Sequence, residues 1–128
     1  MESAVDSKGE RRYSDDHIWI MTEGDNAVLG ITDHAQEQLG GIMFINLPDV
    51  GDKVRAGQRF GDVESIKTVS DLISPVNGEV IGINENAVEE PELVNEDPYE
   101  NWLIKVRLES APEGLMDENE YNTRKEGL

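Results

Sequence analysis

The chain has 128 residues, 28 acidic against 11 basic side chains and a formal net charge of −17, which leaves room for one compact domain and not for two of ordinary size. Such a surface repels phosphate backbones and anionic lipid, so neither nucleic acid nor a membrane is an expected partner. With no cysteine in the sequence, a disulfide, a thiolate nucleophile and a sulfur-ligated metal are all excluded, and any sulfur chemistry must arrive on a prosthetic group.

Residues 1–12 are polar and are expected to form a flexible segment ahead of a single domain over 13–128. No apolar run approaches the roughly 20 residues that span a bilayer. The N-terminus lacks the apolar stretch of a signal peptide and is too acidic for a transit peptide. A cytoplasmic location is expected, or the mitochondrial matrix if a presequence has been removed. "HIWIM" and "NAVLGIT" flank the turn-forming "EGDN" and predict a hairpin. "DHAQEQLGG" predicts a short helix with Asp33 as N-cap, Gln36 as capping-box partner and Gly40-Gly41 as its stop. In "GIMFINLPDVG", period-two alternation sends Met43, Ile45 and Leu47 to one side and Ile42 and Phe44 to the other, until Pro48 removes a ladder donor.

Further strands are predicted at "QRFGDVES", "DLISPV" and "GEVIGIN". "VGDKV" at 50–54 and "VNGEV" at 76–80 share a cast that would put two turns in related places, with Lys67 on the hairpin between them. "AVEEPELVNEDPYEN" holds a single helical turn at 92–95, with Pro91 suited to its first position. "NWLIKVRLE" places Trp102, Ile104, Val106 and Leu108 on one face, opposite Lys105 and Arg107. Beyond it only Leu115, Met116 and Tyr121 offer apolar anchors, so the C-terminal end is expected to be loosely ordered. Many short strands and few helical pieces make the fold mainly β, a small sandwich or barrel.

Active-site templates fail along the whole chain. His17 and His34 are isolated from each other and belong to no ligand motif, so no metal site is expected. No nucleophile elbow, P-loop or dinucleotide fingerprint occurs, and the carboxylates are too many to single out an acid–base pair. The chain is not expected to be an enzyme. Lys67 stands apart as a lone base within "VESIKTVSDLISPVNGEV". By itself it reads as an outward strand residue in ion-pair contact with Glu64 or Asp71.

The stretches "GITDHAQEQLG", "LPDVGDKVRAG", "VESIKTVSDLISPVNGEV", "PELVNEDPY" and "WLIKV" are collinear from about Tyr13 to Leu108. Together they resemble the H protein of the glycine cleavage system, a family of lipoyl-carrier proteins. The resemblance implies a barrel-sandwich hybrid, lipoyl-domain-like, with short peripheral helices. It implies lipoic acid covalently bound to Lys67 at a hairpin tip, with Glu64, Ser65 and Asp71 as attachment-recognition or orienting groups. Flanking Ile66 and Thr68, in place of methionines, set the site apart from a biotin carrier.

The same resemblance implies a non-catalytic swinging arm that shuttles the aminomethyl group of glycine, and a carrier that must visit several partners is expected to be a monomer. Its partners would be a lipoate-attaching enzyme, glycine decarboxylase, aminomethyltransferase and dihydrolipoyl dehydrogenase. The family holds the loaded amine in a surface cleft, for which Asp16, His17, Ile18 and His34 are the candidates here. One departure bears on the cargo: the family's His-Glu-Trp reads His17-Ile18-Trp19, and Gly41 stands where the family usually has an acid. Losing that carboxylate keeps a second pathway open. In it an H-like lipoate-binding protein carries a sulfur cargo for a heterodisulfide-reductase-like complex in sulfur oxidation.

Overall fold

The first hairpin sets the layering. The computed structural model describes residues 11–126, and β1 (Arg12–Tyr13), β2 (Ile18–Glu23) and β3 (Asn26–Ile31) run antiparallel at its start. Alternate residues of a strand leave by opposite faces. Ile18, Ile20, Ala27, Leu29 and Ile31 accordingly enter the main core, while Trp19, Met21 and Val28 join a second, smaller cluster behind the sheet. Gly30 lies opposite Trp19, and a Cβ there would stand 2.6 Å from the indole Nε1. A missing side chain is what lets the indole lie across the strand.

The remaining strands are β4 (Ile42–Asn46), β5 (Lys53–Val54), β6 (Arg59–Ser65), β7 (Val69–Ile73), β8 (Gly78–Ile83) and β9 (Ile104–Leu108). They form a six-stranded sheet ordered β1-β2-β3-β9-β8-β5 and a three-stranded sheet ordered β4-β6-β7, with antiparallel pairing throughout. Leu29, Val80 and Val106 of the larger sheet meet Ile45, Val63 and Leu72 of the smaller one in a single core. Among the described residues four short helices lie around the sheets: α1 (Asp33–Leu39), α2 (Glu85–Glu89), α3 (Glu92–Glu96) and α4 (Glu118–Glu126). Among the described residues no helix is long and apolar enough to cross a membrane.

The two similar stretches pair with each other. Lys53 stands opposite Glu79 and Val54 opposite Gly78. Gly51 N donates to Val80 O, and Val80 N to Asp52 O, each at 2.8 Å. Segment 55–77, which contains the β6–β7 hairpin, is therefore closed at its base.

Several local expectations are corrected. The N-cap of α1 is Thr32, whose side chain accepts from Ala35 N, and Asp33 is the first helical residue. Gln36 donates through its side chain to Asp33 Oδ1 at 2.9 Å. Strict alternation fails in β4, because a register shift between Ile42 and Phe44 turns both Ile42 and Ile45 inward and leaves Met43 and Phe44 exposed. Trp102 precedes β9 and packs in the second cluster with Lys105 Nζ 4.9 Å above its ring, so Leu103, and not Trp102, extends the core face.

Pro91 is the N-cap of α3, one position before the helix, and α2 precedes it unforeseen, burying Ala87. At the C-terminal end α4 carries Tyr121, 3% exposed and stacked on Tyr13 at 4.7 Å between centroids. The flexible segment expected over 1–12 lies outside the described residues up to position 10. Arg12 pairs with Ile20 in β1, and the Arg11 guanidinium lies 4.4 Å from the Tyr99 ring and 5.4 Å from that of Trp19.

Candidate functional site: a lysine at a hairpin tip

β6 and β7 are joined by a turn whose last cross-strand pair is Glu64 and Val69. Ser65 N donates to Thr68 O at 2.8 Å, which leaves Ile66 and Lys67 at the tip. The Ser65 hydroxyl then fixes the backbone it encloses. Its Oγ accepts from Lys67 N at 3.2 Å and Thr68 N at 3.1 Å, the side-chain turn that serine favours because a short hydroxyl reaches amides two and three residues ahead. Lys67 is exposed on this scaffold.

The tip rests on the end of α1. Ile66 N donates to Gly41 O at 3.3 Å, and the Lys67 stem passes over Gly40, where a Cβ would stand 3.0 Å from Cε. Gly40 has φ 77 and ψ −154, a combination that side-chain-bearing residues avoid. Asn95 of α3 locks this pair of glycines from behind. It donates to Gly40 O at 2.9 Å and to Gln36 Oε1 at 2.8 Å, while its own oxygen accepts from Ile42 N at 2.9 Å. One amide thus ties the helix end, the glycine pair and the first residue of β4 together.

Of the residues expected to assist attachment, only Ser65 touches the lysine turn. Glu64 accepts from Asn46 Nδ2 at 3.1 Å, and the same amide donates to Asp62 Oδ1 at 2.7 Å. Asp71 accepts from Arg59 Nε at 3.2 Å, and the Arg59 guanidinium also pairs with Asp62. These groups form a polar strip on the outer face of the small sheet. The hydrogen bond from Asn46 does most to hold the Asp62 carboxyl below the usual carboxylate range, partial burial opposes it, and Arg59 adds to the lowering.

The expected cleft residues are distributed differently. Asp16 is exposed, with its backbone N donating to Ser14 Oγ at 3.3 Å. Ile18 is 1% exposed and belongs to the main core, so it does not line an open cleft. His17 and His34, distant in sequence, lie with ring centroids 4.8 Å apart. His17 has φ 65 at the end of the Ser14–His17 turn, which turns it toward α4. The Tyr121 hydroxyl stands 2.7 Å from His17 Nδ1 and 2.7 Å from Thr32 Oγ1, joining the C-terminal helix to the cap of α1. Burial above all pushes the Tyr121 phenol up to about 12, against a smaller lowering by Thr32. No group of three or more His, Cys, Asp or Glu among the described residues is placed to hold a metal ion.

Sequence reasoning passed over Thr32, Gly40 as a seat, Asn95 and the hydroxyl of Tyr121. The signals were present: a threonine just before a helical pattern, and an asparagine inside one of the family-like stretches.

Two antiparallel sheets closed around one core, with a lysine on a tight hairpin tip, define a barrel-sandwich hybrid of the lipoyl-domain type. The family profile described as glycine cleavage H-protein matches residues 11–127. A glycine cleavage system H protein of Rubrobacter xylanophilus is 54% identical over 115 residues, covering 89% of this chain and 90% of that protein. One of Clostridioides difficile is 53% identical over 115 residues, covering 88% and 92%. The crystal structure of a glycine cleavage system H protein from Mycobacterium marinum superposes with a TM-score of 0.87 at 41% identity, covering 94% of this chain and 98% of that one. The chain belongs to the glycine cleavage H-protein family.

Proposed function

We propose that the protein is a non-catalytic carrier whose Lys67 takes lipoic acid in amide linkage and presents it in turn to the enzymes of glycine cleavage. The observation that carries this reading is the exposed Lys67 on a tip fixed by Ser65 and seated on Gly40. The family membership supplies the context. For attachment, the lysine gives up a proton from Nζ, attacks the carbonyl carbon of an acyl-activated lipoate and expels the activating group. The new amide is uncharged. When bound, the lipoyl group supplies the disulfide that this cysteine-free chain lacks.

The protein's own residues position and release the arm. Ser65 holds the tip backbone, Gly40 leaves space beside the stem, and Asn95 keeps the glycine pair in place. Tethering replaces free diffusion by a high local concentration at each partner, so the carrier needs no acid or base of its own. The partners on this reading are a lipoate-attaching enzyme, glycine decarboxylase, aminomethyltransferase and dihydrolipoyl dehydrogenase. Intact mass after incubation with lipoate, ATP and a lipoate–protein ligase tests the site. The wild type should gain one lipoyl adduct and Lys67→Ala none; an adduct on Lys67→Ala refutes the assignment.

A second reading rests on Ile18. A core isoleucine offers no carboxylate to a cationic amine, and the arm would then suit a sulfur cargo in a heterodisulfide-reductase-like pathway. Glycine–bicarbonate exchange with a glycine decarboxylase separates the two. Exchange at the rate of an ordinary family member removes the sulfur reading, and absence of exchange by lipoylated protein removes the first.

A further inference from the structure

Six large apolar side chains are exposed among the described residues, and four of them gather at the Lys67 end of the small sheet: Met43 at 50%, Phe44 at 57%, Ile66 at 78% and Val69 at 60%. Their grouping follows from register. Phe44 stands opposite Glu64, and Glu64 opposite Val69, so the two apolar side chains flank one carboxylate on the same face, about 10 Å apart across two strand spacings. Ile66 shares the tip with Lys67, and the irregularity in β4 turns Met43 outward beside them. None of the four contributes to either buried cluster, which leaves their apolar area available for another surface.

We propose that these four residues form an apolar collar around Lys67 that docks against the enzyme attaching lipoate, whose active-site mouth is apolar and ringed by lysine and arginine. The inference rests on the reading of Lys67 as the attachment site. Charge selects the kind of partner. Glu64 lies between Phe44 and Val69, the collar's margin carries Asp62 and Asp71, both paired with Arg59, and the chain's net charge is −17. A second copy of the chain is repelled from such a margin, and a cationic rim is attracted to it. Geometry selects the enzyme. Attachment alone requires Nζ itself to enter an active site, which brings the partner onto Ile66, Phe44 and Val69. Enzymes that act on the far end of a loaded arm can work at a distance from the tip.

Initial lipoylation rates of the unmodified full chain, followed by intact mass against carrier concentration with a lipoate–protein ligase, lipoate and ATP, test the collar. Phe44→Ser should raise KM about tenfold, as truncating a central aromatic contact does, with kcat within about twofold. Val69→Ser should act in the same direction, while Val50→Ser and Ile81→Ser, exposed apolar sites away from the tip, should match the wild type. Circular dichroism melts show which variants remain folded, and Val69→Ser, on a sheet edge, carries the test if Phe44→Ser unfolds. A folded Phe44→Ser Val69→Ser double variant with wild-type KM overturns the collar while leaving Lys67 as the attachment site. Failure of the wild type to take lipoate at Lys67 overturns the attachment reading, and the collar with it. Reversible dimerisation abolished by Phe44→Ser would identify a second copy as the occupant and overturn the proposal.

Discussion

Replacing Asn95 by alanine removes one side chain and unties three elements. Its amide donates to Gly40 O and Gln36 Oε1 and accepts from Ile42 N. Water can reach the first two partners, so losing those bonds costs about 0.5–1 kcal/mol each. The Ile42 amide belongs to a residue whose side chain is buried, and leaving its N–H without an acceptor costs about 1–3 kcal/mol. Together Asn95→Ala should destabilise the protein by about 2–5 kcal/mol, a drop in Tm of roughly 8–20 °C for a chain of this length. Urea titration with circular dichroism gives the free energy, and amide exchange gives its location. Ile66 N, bonded to Gly41 O, should exchange faster relative to the β2–β3 ladder than in the wild type. A loss below about 1 kcal/mol, with exchange at Ile66 unchanged, would show that Asn95 does not hold the seat of the tip.

Three further predictions follow from burial and charge. The Tyr121 phenol is raised to about 12 from its ordinary 10.0, so the stability it contributes is complete below pH 10 and is lost as pH rises through about 12. Tyr121→Phe should flatten that alkaline decline in urea titrations at stepped pH, and an unchanged decline would count against the buried hydroxyl as its source. Asp62 is lowered, chiefly by Asn46, so its contribution is present above the unfolded carboxyl value and is lost as pH falls through the lower folded one. Asn46→Ala should reduce the stability lost between neutral pH and about pH 3, and an acid transition identical to that of the wild type would contradict this. Ile18→Glu puts a carboxyl into the main core and should cost about 3 kcal/mol or more, measured by thermal melt. A stable Ile18→Glu protein would mean that the side chain can reach a polar surface.

The β2–β3 hairpin was legible because two β-rich runs flank the turn-forming "EGDN", the alternation of β9 because Ile104 and Val106 meet the core, and the hairpin place of Lys67 from the similar stretches at 50–54 and 76–80 together with the family resemblance. What escaped reading depends on events across the sheet or between distant segments. The irregularity in β4 is set by pairing with β6, so alternation along 42–47 could not reveal that Met43 and Phe44 share the outside. His17 and His34 are brought together by the left-handed turn at His17 and by Tyr121, more than a hundred residues away from His17 along the chain. Asn95 looks like one more polar residue in an acidic segment until α3 is seen packed behind Gly40. Ile18 shows the limit of carrying roles over by motif. A position where the resemblance implies a carboxylate is here a core aliphatic, and its neighbours decide that.

The pairing of β5 with β8 has a mechanical consequence. Because Val54 meets Gly78 and Gly51 bonds to Val80, the two ends of segment 55–77 are clamped together by bonds that owe nothing to residues 66–68. Changes confined to the outermost side chains leave that clamp intact, so their cost to folding is limited to the contacts of the turn itself. Ile66→Ser, a change at the exposed end of the tip, should therefore leave the melting temperature nearly where it was.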